Sequence, residues 1–347
     1  QINSLVMDLG GLMSVGISRS LEIAAAVEEF QAAGKPVVAV GDYYTQSQYL
    51  LASQADEVIA HPMGGVALEG YAAYFNYFAE ALDKLSVSMH VFRAGKHKSA
   101  VEPFLRSDMS PEEKEVTRQW LTAIWQQYTA TVESRRELPA GAVDDYVNGF
   151  ARRMVNGGGD SAKDALEAGL VDQLLSRVAA NNYLVETVGA KDDGGLYEAV
   201  PFEHYLSRKR PIGLPVAGGD RIAVITAQGN ILPGEQPPGS IGGDSLAGLI
   251  RETAADEGVK GIVLRVNSGG GSMFASEIIR QQLLEVKASG IPVVVSMGAV
   301  AASGGYYIAA DADEILATPA TITGSIGVFA AFPTFERLLE RAGVHTD

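Results

Sequence analysis

The chain contains no cysteine. Disulfides, thiolate metal sites and thiol catalysis are therefore excluded. The absence fits an oxidising envelope compartment without establishing one. Long apolar runs are missing too: no stretch of about 20 apolar residues exists, so no segment spans a bilayer. No secretory leader is visible. The sequence starts at Gln1 rather than Met and stops at Asp347 without an obvious finishing element. Both ends read as cut, which leaves room for a membrane anchor outside them. Positive charge is scarce. The 27 Lys and Arg residues face 42 Asp and Glu, for a formal charge of −15. Such a surface repels phosphate backbones, so no nucleic-acid partner is expected. An acidic surface is equally ordinary on soluble proteins with no special partner. Histidine is rare as well: His61, His90, His97, His204 and His345. None sits in an H-E-x-x-H or other metal-ligand spacing, and none in a local triad motif. No metal and no cofactor are expected.

What is present belongs to a globular α/β protein. The 47% apolar and 20% charged fractions suit a chain with a real core. Its 347 residues suffice for two ordinary domains or one large composite one. Ile2 to Leu9 reads as a buried strand ending at Gly10-Gly11. A helix pattern covers roughly Ser20 to Ala33, and Gly34-Lys35-Pro36 stops it before a strand at Val37 to Val40. A helix near Gln46 to Gln54 and a strand Glu57 to Ala60, closed by Pro62, complete the series. These are βαβ units with short connections.

The order recurs later in the chain. The strand Gly261 to Val266 leads into the turn Asn267-Ser268-Gly269-Gly270-Gly271-Ser272 and a helix from about Ala275 to Ala288. Gly290-Ile291-Pro292 breaks that helix. A strand at Val293 to Ser296, a helix starting near Ser303 and a strand Glu314 to Ala317, closed by Pro319, follow. Individual residues correspond. Gly34, Pro36, Val37 and Val38 match Gly290, Pro292, Val293 and Val294. After one inserted residue, Tyr49, Ala52, Ala55, Asp56, Glu57, Ala60, Pro62, Gly70, Ala73 and Phe75 match Tyr306, Ala309, Ala312, Asp313, Glu314, Ala317, Pro319, Gly327, Ala330 and Phe332. A run of this kind is the signature of duplication.

Between the copies the pattern is mostly helical. Ser110-Pro111-Glu112-Glu113 reads as a helix start with a capping box, and Trp120, Ile124, Tyr128 and Val132 recur on one face as core. Ser161 to Leu174 reads as a short helical segment broken at Gly169. Residues 190 to 220 read as a connection or irregular arm, and Ala223 to Ala227 as an edge-like strand. The expected division is a first copy at 1–105, a helical insert and connection at 106–220, and a second copy at 221–347, incomplete at its C-terminus.

Ser303 stands out as a nucleophile candidate. The strand from Val293 runs into small residues, then Ser303-Gly304-Gly305-Tyr306. Small neighbours leave a hydroxyl exposed, and a helix N-terminus favours negative charge on a carbonyl oxygen. The logic is that of a nucleophile elbow without the GxSxG motif. An ordinary N-cap serine reads the same way. The Gly269-Gly270-Gly271 turn offers backbone N–H groups for an oxyanion hole, for a phosphate, or for nothing beyond a turn. Its spacing fits neither GxGxxG nor GxxxxGK. A lysine whose pKa is lowered serves as a base, but Lys98, in Lys96-His97-Lys98-Ser99-Ala100-Val101-Glu102-Pro103, reads alone as a surface residue.

Several motifs in order carry a family resemblance. Arg265-Val266-Asn267-Ser268-Gly269-Gly270-Gly271-Ser272, the run Met297 to Tyr306, Thr323-Gly324-Ser325-Ile326-Gly327, Lys98 to Phe104 and Gly169-Leu170-Val171-Asp172 resemble the signal peptide peptidase A family, peptidase family S49, in its long duplicated form. The resemblance covers essentially the whole chain. It implies a tandem duplication of a ClpP/crotonase-like βαβ unit. It also implies a Ser/Lys dyad, with the nucleophile at Ser303 and the base at Lys98, the first copy supplying the lysine and the second the serine. The turn at Gly270 and the amide of Gly304 would form the oxyanion hole, and Ser325 would help hold the lysine. The family implies peptide substrates (cleaved signal peptides and unfolded chains), a homo-tetramer, and a place on the periplasmic side of the bacterial inner membrane. The family turn usually has Pro where Gly269 stands, so a looser turn is expected here. Position 46 is Gln where the second copy has Ser303, so the first copy lacks the nucleophile. Competing readings are a crotonase-like acyl-CoA enzyme, a non-catalytic envelope scaffold, and a different lysine, beyond Asp347, serving Ser303.

Overall fold

The computed structural model describes residues 2–95, 98–191, 196–209 and 219–345. It divides into two compact units. One comprises Gln1–Tyr71 with Ile124–Ala217, the other Ala72–Ala123 with Gly218–Asp347.

The first unit is built on a parallel sheet of strands Leu5–Asp8, Val37–Gly41, Glu57–Ala60 and Gln173–Leu174, in that spatial order. Helix Ile17–Ala32 connects the first two strands. Val37, Ala39, Val58 and Ala60 are fully buried, as sheet residues covered by helices must be. Asp56 closes the turn before the third strand. Its Oδ2 accepts from the Val37 N–H at 2.7 Å. Val58 makes the same kind of bond to Asp172, at 2.7 Å. That bond draws Gln173–Leu174 into the sheet. The expected helical segment from Ser161 therefore ends early, at Glu167, and Gln173–Leu174 is a strand. Tyr128 and Val132 of helix Pro111–Arg135 are fully buried, as the one-face pattern required.

The second unit carries a parallel sheet ordered Glu314–Leu316, Val293–Ala302, Val259–Ser268 and Arg221–Gln228, with Ile322–Gly324 paired to the far end of Val293–Ala302. The strand expected near Ala223 is indeed an edge. Helix Met273–Ala288 crosses between the two central strands. Ile262, Leu264, Val266, Val293, Val295, Ile279 and Ile308 form the centre of one apolar cluster. Each such side chain contributes about 1.5–3 kcal/mol when fully buried. Asp313 repeats the role of Asp56, accepting from the Val293 N–H at 2.8 Å.

The three strands and the helix that the two sheets share make the fold a mixed α/β one, consistent with a duplicated βαβ architecture. The fourth strand differs: it lies beyond the third in one sheet and beyond the first in the other. The compact units also cut the chain elsewhere than at 105 and 220. Strand Ser88–Ala94 pairs antiparallel with Val328–Thr334, with seven residue pairs in register from Ala94↔Val328 to Ser88↔Thr334. That ladder draws residues 72–123 into the second unit.

Two local expectations change. Ser110 caps its helix, its Oγ accepting from the Glu113 N–H at 3.1 Å. The reciprocal arm of the capping box is replaced, because the Ser110 N–H donates to Glu102 Oε2 at 3.0 Å. The stretch from residue 190 contains a helix, Phe202–Lys209, and part of it lies outside the described residues. No helix of the described residues is long and apolar enough to cross a membrane.

Candidate active site

The site lies within the second unit, where strand Val293–Ala302 ends. Strand residues with small side chains let the backbone turn sharply into the short helix Gly304–Tyr307. Ser303 stands at that turn with φ 52 and ψ −118. A non-glycine residue in this region carries about 1–3 kcal/mol of strain and persists only where its surroundings over-determine it. Here they do. The Ser303 N–H donates to Gly324 O at 2.8 Å, and Ser303 O accepts from the Tyr307 N–H at 2.9 Å. The side chain does not cap the helix. The ordinary N-cap reading therefore fails. The hydroxyl meets the lysine instead.

Lys98 follows the strand Ser88–Ala94. Its N–H donates to Gly95 O at 3.2 Å, and the Arg93 guanidinium donates to Lys98 O at 3.4 Å. The register with Val328–Thr334 carries the lysine to the serine. Lys98 Nζ lies 2.8 Å from Ser303 Oγ, 2.8 Å from Ser325 O and 3.3 Å from Ser325 Oγ. Lys98 is only 4% exposed, so it is no surface lysine. Among the described residues it has no carboxylate partner within salt-bridge distance. Burial alone pushes its ammonium below the ordinary lysine range. Ser325 is itself unusual, with φ 49 directly after Gly324 at φ 83. That kink turns both its carbonyl and its hydroxyl onto the lysine.

The glycine turn packs against the serine. Gly270 has φ +98, and a Cβ there would lie 2.6 Å from Gly304 N and 2.8 Å from Ser303 Cβ. Only glycine permits that approach. The expectation for its amide needs correcting. The Gly270 N–H donates to the buried Ser268 Oγ at 3.1 Å, and Ser268 in turn donates to Gly229 O at 2.6 Å. Among the described residues, the N–H groups of Gly271 and Gly304 have no hydrogen-bond partner, and Gly271 N lies 3.3 Å from where a Cβ on Gly304 would stand. Ser268 was not picked out from sequence. Nor was Asn267, whose Oδ1 accepts from the Val300 N–H at 3.2 Å. Their polar side chains, adjacent at the end of the strand and directly before the glycine turn, were the available signal.

The described histidines lie elsewhere. His90 Nε2 shares a hydrogen bond with Thr334 Oγ1 at 2.9 Å and its ring stacks on Phe332, while His97 falls outside the described residues. Among the described residues no histidine hydrogen-bonds Ser303 or Lys98.

A strained serine at a strand-to-helix turn, hydrogen-bonded to a buried lysine, defines a class: α/β proteins with a serine–lysine pair at the end of a parallel sheet. Within that class the chain belongs to peptidase family S49, whose family model matches residues 29–191 and 285–347. Lys98, Ser303 and Ser325 lie inside the matched segments, and the turn at Gly270 lies between them. The chain is 43% identical to "Protease 4" of Salmonella typhi over 346 residues, covering 100% of this chain and 55% of that protein. It is 41% identical to "Protease 4" of Haemophilus influenzae over 351 residues, covering 100% of this chain and 56% of the relative. A chloroplastic serine protease SPPA of Arabidopsis thaliana is 28% identical over 340 residues, 96% of this chain and 49% of the relative. The chain thus spans about half the length of these relatives.

Proposed function

We propose that the chain is the catalytic part of a serine endopeptidase that works through a Ser303–Lys98 dyad. The observation that carries the proposal is the 2.8 Å approach of a buried lysine amine to the hydroxyl of a strained serine. A neutral amine has two N–H groups and one lone pair. Ser325 O and Oγ accept the two hydrogens, and the lone pair is left for the Ser303 proton. Lys98 takes that proton as Ser303 Oγ attacks the peptide carbonyl. The carbonyl π-pair moves to oxygen, where the amides of Gly304 and of the turn at Gly270, through Gly271, hold the charge. As the tetrahedral intermediate collapses, the C–N bond breaks and Lys98 returns the proton to the leaving amine. Lys98 then deprotonates a water that attacks the acyl-enzyme, releasing the acid and free Ser303.

The burial of Lys98 supports this order of events, because it lowers the pKa toward the range where a lysine is a base. In this reading Ser325 positions the lysine and does not react. The substrates are cleaved signal peptides and unfolded chains. The small residues leading to Ser303 favour narrow, apolar side-chain pockets. The whole protein is a homo-tetramer on the periplasmic side of a bacterial inner membrane, anchored by segments outside this chain. The fold is a tandem duplication of a ClpP/crotonase-like unit. Residues 1–105 form the copy that gives the lysine, 106–220 the helical insert, and 221–347 the copy that gives the serine.

The test uses the full-length protein with a fluorophosphonate probe and a casein or signal-peptide substrate. Labelling at Ser303, lost in Ser303→Ala together with hydrolysis, is the expected outcome. Full activity in Lys98→Ala would remove the lysine from the mechanism.

A further inference from the structure

The strain at Ser303 needs an anchor, and the second unit has one that the first lacks. The Tyr307 hydroxyl, at the end of the helix opened by Ser303, donates to Glu277 Oε2 at 2.8 Å. Glu277 projects from helix Met273–Ala288 and accepts from Arg280 through both oxygens, at 2.7 and 3.0 Å. Arg280 also pairs with Asp311 just beyond the short helix, and its guanidinium lies 5.5 Å from the centre of the Tyr307 ring. These hydrogen bonds hold the Glu277 carboxyl at about 2, so it stays charged at any working pH.

The first unit offers the comparison. Helix Ile17–Ala32 corresponds to Met273–Ala288, and both have 16 residues. Leu21 stands where Glu277 does and Ala24 where Arg280 does. Leu50, after the matching Tyr49, replaces Tyr307, and Gln54 replaces Asp311. Other polar links between the same elements are kept in kind. Gln31 donates to Asp56 at 2.9 Å, and Lys287 pairs with Asp313 at 3.0 Å. The network around Tyr307 is therefore absent from the half whose helix start is unstrained. There, Thr45 opens the helix at φ −72 and ψ 165.

We propose that Glu277, Arg280 and Tyr307 are positioning residues that moor the short helix after Ser303 and so keep its hydroxyl in line with Lys98. The proposal rests on the serine peptidase reading. Tyr307 ties the two together covalently and by hydrogen bond. Its backbone N–H holds Ser303 O, and its side chain is fixed to the neighbouring helix. Releasing the side chain lets the serine relax toward an ordinary helix start, away from the amine.

The test compares three variants of the full-length protein. They are Tyr307→Phe, the triple Glu277→Leu/Arg280→Ala/Tyr307→Leu that installs the first-half residues, and Lys287→Gln as the control. The readouts are kcat, KM, the rate of fluorophosphonate labelling, and Tm. Misplacing a reacting group by 1 Å costs up to ~100-fold, so the partial release here is expected to lower kcat and labelling about tenfold in the triple and about threefold in Tyr307→Phe, with KM nearly constant. Lys287→Gln is expected to keep kcat. Of two further single variants, Glu277→Gln, which still accepts from Tyr307, should retain more kcat than Glu277→Leu. Wild-type kcat in the folded triple overturns the proposal, as does an equal loss in Lys287→Gln. If the triple does not fold, Tyr307→Phe decides alone: unchanged labelling overturns the proposal. A wild-type protein unlabelled at Ser303, or hydrolysis surviving in Ser303→Ala, instead removes the serine peptidase reading, and the mooring role falls with it.

Discussion

The two halves of the chain solve the same strand-to-helix turn in opposite ways. In the first, Thr45 is a relaxed N-cap. Its hydroxyl accepts from the Gln48 N–H, and the Gln48 side chain accepts from the Thr45 N–H, a full capping box. The next residue, Gln46, spends its amide locally. Its oxygen accepts from the Glu69 and Gly70 N–H groups at 3.0 and 2.9 Å, and its nitrogen donates to Gly70 O at 3.1 Å. The glycine turn nearby presents acceptors: the Gln48 amide donates to Leu9 O and Leu12 O, both at 3.0 Å. In the second half the cap is a strained serine whose hydroxyl is left to a lysine, and among the described residues the Gly271 N–H of the glycine turn has no partner. At this turn the first half commits the Thr45, Gln46 and Gln48 side chains to local partners. The other gives its hydroxyl to Lys98, leaves the Gly271 and Gly304 amides without a partner among the described residues, and holds Ser303 in a strained conformation.

The largest effect is expected where that contrast is erased directly. Ser303→Ala or Lys98→Met in the full-length protein should lower kcat by on the order of 10³-fold or more. Burial lowers the folded-state pKa of Lys98 below its unfolded value. Two consequences follow. Wild-type kcat/KM rises with pH as the amine loses its proton, with a midpoint below the usual lysine range. The charged lysine also penalises the fold fully below the folded pKa, and the penalty vanishes as pH rises to the unfolded value. Lys98→Met should therefore have the higher Tm at neutral pH, and the difference should shrink in alkali. A Tm advantage that grew with pH would contradict the cause assigned to the shift.

Gly270→Ala comes next. The added Cβ meets backbone and Ser303 at under 3.0 Å, so kcat should fall by about 100-fold through a displaced serine. Peptide hydrolysis by the purified variant checks this. In the first half, Gln46→Ser tests whether a serine alone makes a site. No hydrolysis is expected in a Ser303→Ala background, and Tm should fall because the Glu69 and Gly70 N–H groups lose a partner, about 0.5–1.5 kcal/mol. Recovered activity would show that the turn, not the lysine and strain, separates the halves. The smallest effect is expected from Gly269→Pro. Gly269 is not among the residues at positive φ, a Cβ there touches nothing within 4 Å, and its N–H makes no bond among the described residues. The substitution should stabilise by about 0.4–1 kcal/mol, seen as a small rise in denaturation midpoint.

Periodicity located the common strands and helices because burial fixes which residues face the sheets. Glu57–Ala60 begins and ends where its short apolar run and Pro62 put it. Where long-range pairing overrode local pattern, the reading failed. Gln173–Leu174 has no strand signal of its own; its pairing with Ile59 and Ala60, flanked by the Asp172 bonds to Val58, makes it one. Small residues around Ser303 and the Gly270 turn were legible because close approach excludes a Cβ. Ser268 was not, since a hydroxyl in a turn has many uses. Lys98 was legible only through the family resemblance. Its neighbours in sequence say nothing of burial, which arises from the ladder between Ser88–Ala94 and Val328–Thr334.

The sequence by itself determined the repeated βαβ pattern, the absence of thiol chemistry, and which half keeps a serine. These follow from residue identity and local period. The tertiary structure alone decided that Lys98 is buried against Ser303, that Gly270's amide is spent on Ser268 while Gly271's is not, and that the two compact units do not follow the repeat boundary. The first and last of these depend on pairings more than 200 positions apart along the chain, and a hydrogen bond or a desolvated charge exists only once such partners meet.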